Sequence, residues 1–500
     1  MRSQNEPTND VSVDLPPCIL HPPQGGASWK HCLIFLAFGR AQPLRTAQTD
    51  HTSLRVQLKP WVGSRAGPSP PRVATGAMMR CLWLTLADPD PLINGQLIYT
   101  GGFLAAAVAA GASLHVIGLD RHGEKEGPPQ AHANLRWQLH RREIHSVWRR
   151  ILSPMPPAAL YGFSRAARRA VDQALADQSW DAVVFDSLMS AWALPTVLRR
   201  RLGSGRPPLV YVAHNCEATA ARRIADASHG ARRLLKLLDW AKVASLERRL
   251  LAQADFVTAN VPEDCEALAP ATKAGKVAFL PPGYDGPRVA CRAITADTPR
   301  RAVIIGSFDW SAKRQSLERF LDAGANRLAA AGVELQVVGS AEPRYLAGLR
   351  RRFPQVTFVG PVADVRPYLA SARIGLVPDV LGGFKLKALD YVFNRLPIMA
   401  MRGGLSGMPL EDGVSFGLFD TPVGLAEGVV SLIDSFAELN ARQERAFAAC
   451  ADGFDWPQLG RRLMSGIEAA ALRKPVKEAA TSPRSFPINA MQKMPPQPSE

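Results

Sequence analysis

Short apolar runs alternate with longer amphipathic stretches through most of this chain. In its first half the runs predict strands at 81–86, 114–119, 182–186, 209–213 and 256–259. The intervening pattern predicts helices such as 103–110 and a long one from about 231 to 253. A second series of strands follows at 302–305, 334–338, 356–359, 374–377, 398–401 and 414–418. Strands of this kind, alternating with helices, read as parallel sheet covered by helices. The expected fold is therefore α/β, with two Rossmann-like halves, 78–283 and 284–473, facing each other across a cleft. They join near Pro281-Pro282-Gly283-Tyr284-Asp285, and the final helix is free to return to the first half. No repeat at solenoid spacing is present.

The ends read differently. Residues 1–77 hold no sustained period and are broken by Pro16, Pro17, Pro22, Pro23, Pro68, Pro70 and Pro71, so they are expected to be a disordered extension. Residues 474–500, with six prolines and little to bury, are expected to be a disordered tail. Lys and Arg number 60 against 44 Asp and Glu, a net +16. The two ends hold twelve of the basic and six of the acidic residues, which leaves the core at +10 and favours an anionic partner. Seven scattered cysteines with no CxxC pair indicate neither zinc nor a disulfide framework. The apolar run at 32–38 is too short to span a bilayer, so the expected location is cytoplasmic.

Ligands of doubly wound sheets bind beyond the carboxyl ends of the strands, so chemistry is expected where strands end. After the strand 374–377 come Gly382-Gly383-Phe384-Lys385-Leu386-Lys387 and then a helix, 388–394. A glycine pair lets the backbone approach a ligand, and a helix start offers N–H groups and a positive dipole end, which together suit a diphosphate. Lys385 and Lys387 add cations there. The strand 302–305 likewise ends in Gly306-Ser307, with Lys313 and Arg314 close behind. Those two cations either reach the same diphosphate from the other side or form a solvated helix turn.

These segments resemble the donor half of GT-B glycosyltransferases, in particular the retaining family-four type. The resemblance lies in Gly306-Ser307-Phe308-Asp309-Trp310, in Leu335 to Gly339, in Phe358 to Val365, and in Gly382 to Asp390 followed by Leu396-Pro397-Ile398. The first half is similar more loosely. Asn94-Gly95-Gln96 resembles the family's first glycine loop, and Tyr211-Val212-Ala213-His214-Asn215 resembles the strand ending in a histidine near the donor sugar.

The resemblance implies transfer of a sugar from a nucleotide-diphosphate donor to a polysaccharide or lipid-linked acceptor. His214, Lys313 and Lys387 would be catalytic, and Gly95, Gly306, Ser307, Arg314, Gly382, Gly383, Phe384, Lys385 and Asp390 would hold the donor. Many relatives carry two glutamates with seven residues between them; here Gly382 and Asp390 stand at those positions. The sugar contact then passes to backbone near Gly383 and Phe384, while Asp390 accepts from ribose hydroxyls. No cofactor and no metal are expected, because the only Asp-x-Asp spacing, Asp88-Pro89-Asp90, lies in the acceptor half beside prolines. An epimerase or a silent sugar-nucleotide binder on the same scaffold is the alternative. A nucleic-acid binder fits poorly, since no helix-turn-helix, zinc or RNP signature is present.

From Arg136 to Arg169 eight arginines face one acid, Glu143, with Trp137, Trp148, Ile151 and Leu152 among them. Two readings stand: an interfacial face on an anionic membrane, or a solvated helical face over the core.

A chain starting at Met78 is expected to keep the melting temperature and activity of the full chain, since residues 1–77 offer no core to join. Loss of soluble protein on that truncation, seen in a thermal melt and an activity assay, contradicts the reading.

Overall fold

The structure, a computed structural model, describes residues 78–472 except 91, 93, 122–131, 201–205, 274 and 381–382. Both proposed disordered ends, and Gly382, lie outside the described residues. Every described residue belongs to one compact unit.

The first sheet holds β1 (Arg80–Ala87), β2 (Ser113–Leu119), β3 (Leu135–His140), β4 (Ala182–Asp186), β5 (Leu209–Ala213), β6 (Phe256–Ala259) and β7 (Ala278–Phe279) in the order β3-β2-β1-β4-β5-β6-β7. The second holds β8 (Arg301–Ile305), β9 (Glu334–Val338), β10 (Val356–Gly360), β11 (Ile374–Val377), β12 (Ile398–Met401) and β13 (Gly417–Phe419) in the order β10-β9-β8-β11-β12-β13. Every pairing within both sheets is parallel. Two Rossmann-like sheets of the same winding result, as the apolar runs require. Each reverses its strand order once, between β1 and β4 and between β8 and β11, and a ligand crevice opens at such a reversal.

The expected strand 414–418 is displaced: β13 starts at Gly417, and Val414 is exposed in the turn before it. β3 and β7 were not expected. β3 reads Leu-Arg-Trp-Gln-Leu-His because it is an edge strand, so its apolar run is interrupted by polar positions. The helix expected at 103–110 begins earlier, at Gly95, where the Asn94 side chain accepts from Leu97 N at 3.1 Å and caps the first turn.

Apolar layers cover both faces of each sheet. On the first sheet one layer is closed by the last helix, Trp456–Leu472, whose Leu459, Leu463 and Ile467 join Trp83, Phe103 and Val184. Trp456 lies edge-on to Phe103, with ring centroids 5.2 Å apart. Close helix approach is possible because Gly460 faces Ala106, where an added Cβ would lie 2.4 Å from the Ala106 carbonyl oxygen. That neighbour is backbone and cannot move aside cheaply.

Gly460→Ala sets two effects against each other. Alanine favours a helix by about 1 kcal/mol over glycine, while overpacking a tight contact costs about 1–3 kcal/mol. With backbone as the obstacle, net destabilisation is expected, read as a lower denaturation midpoint. A raised midpoint contradicts the packing described.

Candidate active site

β11 ends at Val377, and the chain passes through Asp379 to Gly383-Phe384-Lys385 before the helix Leu386–Phe393 begins. No side chain caps that helix start. Lys387, in its first turn, donates from Nζ to Asp379 Oδ2 at 2.6 Å, and both side chains are buried. Lys385 Nζ donates to the Gly383 carbonyl oxygen at 2.6 Å. Lys313 comes from the first turn of helix Ser311–Ala330, which follows β8.

The three lysines share one electrostatic environment. Burial pushes the Asp379 carboxyl up, but the charge and hydrogen bond of Lys387, with Lys385 and Lys313 near, hold it below the ordinary range. Burial pushes Lys385 down to about 8 against the pull of Asp379, with Lys387 and Lys313 repelling it. Lys313 is lowered by burial and then by Lys387. Asp309 acts on Lys313 and Asp264 on Lys385. The Lys387–Asp379 pair is neutral, and Lys313 and Lys385 stand beside it in the field of these further carboxylates.

Glycines shape the surroundings. Gly306, at the end of β8, has Lys387 Nζ 3.5 Å from where a Cβ would stand, so a side chain there would fill the space over the ammonium group. Behind it Gly339, at φ +140°, has no room for a side chain, since a Cβ would lie 1.7 Å from Gly306 O. Gly383 makes its close approach to the first sheet: its N–H donates to Asn215 Oδ1 at 2.7 Å, and a Cβ would lie 2.8 Å from Asn215 Oδ1, Asn260 Oδ1 and His214 O. Asn260 Nδ2 donates to His214 O at 2.8 Å. Gly95 closes the same region from the first sheet, with Leu386 Cδ1 3.4 Å from its Cβ position.

His214 follows β5. Its Nε2 donates to Asp186 Oδ1 at 2.6 Å, and Asp186 Oδ2 accepts from Trp83 Nε1 at 3.1 Å. Tyr99 meets the imidazole edge-on at 5.0 Å. Nδ1 is buried and finds no hydrogen-bond partner among the described residues. Asp186 fixes the tautomer through Nε2, so in the neutral ring Nδ1 is an acceptor. Sequence reading missed Asp186 and Trp83. The available signal was an acid closing the otherwise apolar run Ala-Val-Val-Phe-Asp of β4.

The other expected donor residues make contacts of their own. Ser307 Oγ donates to Asp309 Oδ2 at 2.6 Å. Arg314 donates to Phe308 O at 2.6 Å, lies 3.6 Å from Glu342 and stacks on Tyr345. Phe384 packs on Phe454. Asp390 was expected to share a ligand with Lys387. It is half-buried beside Tyr284, and burial pushes its carboxyl up to about 7 while the hydrogen bond from Tyr284 pulls it down. Among the described residues no three His, Cys, Asp or Glu side chains converge as metal ligands.

A folded-state pKa near 7, above the unfolded value of about 3.9, means that the protonated Asp390 is favoured in the fold. Its contribution is fully present below about pH 4 and is lost as pH rises through 7. Asp390→Asn is therefore expected to raise the melting temperature at pH 8 relative to wild type by more than at pH 4. Equal shifts at both pH values contradict the burial argument.

Residues 93–286 match the family described as Glycosyltransferase Family 4, and residues 299–435 match the family described as Glycosyl transferases group 1. No curated protein matches the sequence at a significant level. Among solved structures, sucrose-phosphate synthase from Thermosynechococcus elongatus is 18% identical, covers 78% of this chain and 98% of its own, and superposes with a TM-score of 0.58. WaaG, a glycosyltransferase involved in lipopolysaccharide biosynthesis, is 17% identical over 77% of this chain and 99% of its own, with a TM-score of 0.56. Anabaena HepE, crystallised with UDP and glucose, is 14% identical over 78% and 100%, with a TM-score of 0.52. With a family 4 domain carrying the first sheet and a group 1 domain carrying the second, the chain is a glycosyltransferase of the GT-B fold.

Proposed function

We propose that the chain moves a hexose from a nucleotide-diphosphate sugar to a polysaccharide or lipid-linked acceptor, with retention of configuration, in surface polysaccharide or glycolipid assembly. The observation that carries the donor class is the convergence of Lys313 with the buried Lys385 and Lys387 around Asp379, at the strand-order reversal of the second sheet. A diphosphate supplies the charge that complements it. HepE, crystallised with UDP-glucose, makes a UDP-sugar the first donor to test.

In the proposed reaction the bond from the anomeric carbon to the diphosphate oxygen breaks, and its electron pair leaves with the nucleoside diphosphate. Negative charge then grows beside Lys387 and Lys313, which stabilise it without a metal. His214, anchored by Asp186, presents Nδ1 as an acceptor for a hydroxyl of the sugar. The acceptor hydroxyl attacks the anomeric carbon from the face that the diphosphate leaves, which retains the configuration, and its proton passes to the departing diphosphate oxygen. Asp390 serves the nucleotide ribose. The enzyme works in the cytoplasm, at the inner face of the membrane when its acceptor is lipid-linked.

The test is steady-state kinetics after circular dichroism confirms folding. Removing one preorganised electrostatic donor costs on the order of 100 to 1000-fold in turnover, and this is expected for Lys387→Ala. Lys313→Ala, outside the Asp379 ion pair, is expected to behave alike and keeps the test valid if the first variant is unstable. Donor KM should change less in both, because the charge grows in the transition state. Turnover near wild type in both variants refutes the diphosphate assignment.

A further inference from the structure

The basic stretch singled out in the sequence does not stand alone. Helix Val147–Leu152 contributes nothing to a core: Trp148 is 73% exposed and Leu152 78%. Far along the chain, helix Gly230–Gln253 begins with a second exposed apolar run, Leu234 at 65%, Leu235 at 51% and Leu238 at 56%. Leu234, Leu238 and Lys242 are four residues apart and share one helix face. At the end of that face Lys242 Nζ donates to Arg150 O at 3.2 Å and to Ile151 O at 2.6 Å. The two exposed apolar segments are therefore tied edge to edge.

Their charge has one sign. Residues 141–152 and 230–242 together hold eight Lys or Arg and two acids, Glu143 and Asp239. Glu143 accepts from the backbone N–H of Arg165 at 2.5 Å, and Asp239 lies 3.5 Å from Lys236. Exposed large apolar side chains in contiguous patches mark interaction sites. An apolar strip with an indole and a dense basic rim fits a bilayer surface with anionic headgroups. No described helix is long and apolar enough to cross a membrane, so the contact is a surface one.

We infer that helix Val147–Leu152 and the first half of helix Gly230–Gln253 form one face that docks on anionic phospholipid. It deepens the proposed membrane-side acceptor and rests on that reading only for its purpose. Docking there would hold the first sheet at the bilayer, where a lipid-linked acceptor is found.

The full chain is tested by flotation with vesicles of phosphatidylcholine alone and of phosphatidylcholine mixed with phosphatidylglycerol, alongside donor hydrolysis in vesicle-free buffer. Wild type is expected to float with the anionic vesicles only, and less so at high salt. The Arg149→Gln, Arg150→Gln double variant should weaken the partition about fivefold per residue. Leu234→Ser with Leu238→Ser should also release the chain, although those residues lie 86 and 90 positions from Trp148. Hydrolysis should stay at the wild-type rate in both double variants. Flotation of the Leu234/Leu238 variant equal to wild type overturns the joint face. Equal binding to both vesicle types, or none, overturns the lipid assignment, as does a dimer in sedimentation velocity that Trp148→Ser dissolves. Absence of donor hydrolysis in wild type would instead strike the transferase reading and leave the flotation result standing.

Discussion

A carboxylate held among three lysines is the constraint around which the second sheet's ligand end is arranged. Asp379 is buried, and a buried charge is tolerated when it is paired and hydrogen-bonded. Lys387 meets that need at 2.6 Å. Lys313 and Lys385 lie close to this pair, and burial lowers both against the pull of Asp379. Perturbed titrations in a crevice are characteristic of functional sites. The glycines follow from this arrangement: Gly306 leaves the space over Lys387 open, and Gly339 lets the β8 loop lie close behind.

The first sheet is coupled to this end through a close backbone approach as well as through the charge of Asp264 on Lys385. Gly383 touches Asn215, Asn260 and the His214 carbonyl, so the loop that carries the lysines also rests on the strand end that carries the histidine. A rigid joint of this kind fixes the distance between the imidazole and the ammonium groups, which is what an enzyme needs to place two ends of one substrate. Asp186 and Trp83 complete it by locking the ring orientation from below.

Much of this was legible in the sequence, for a physical reason. β4, β5, β6, β9, β11 and β12 have the expected bounds because central parallel strands are buried on both faces, and a short uninterrupted apolar run between turn residues is the mark of such a strand. β3 was not legible: as an edge strand it tolerates Arg136 and Gln138, which erase the run. The lysines that converge could be named because they follow strand ends with glycines. Asp379 and Asp186 gave a weaker signal, since an acid closing a strand resembles any loop acid until its partner, distant in sequence, is placed beside it. Tyr284 was not legible as a neighbour of Asp390, since it lies in the joining segment, far away in sequence.

The direct measurement of the central claim is calorimetric titration of UDP into the full chain across pH 7 to 9, repeated in two buffers of different ionisation enthalpy. Lys385 loses its proton near pH 8, in the field of Asp379, Lys387, Lys313 and Asp264, and an anion bound beside it favours the protonated form. Proton uptake on binding is expected to peak just above pH 8, with affinity falling as pH rises beyond it. Affinity that is flat over this range, with the same heat in both buffers, would contradict the assignment of the lysine group as the diphosphate site.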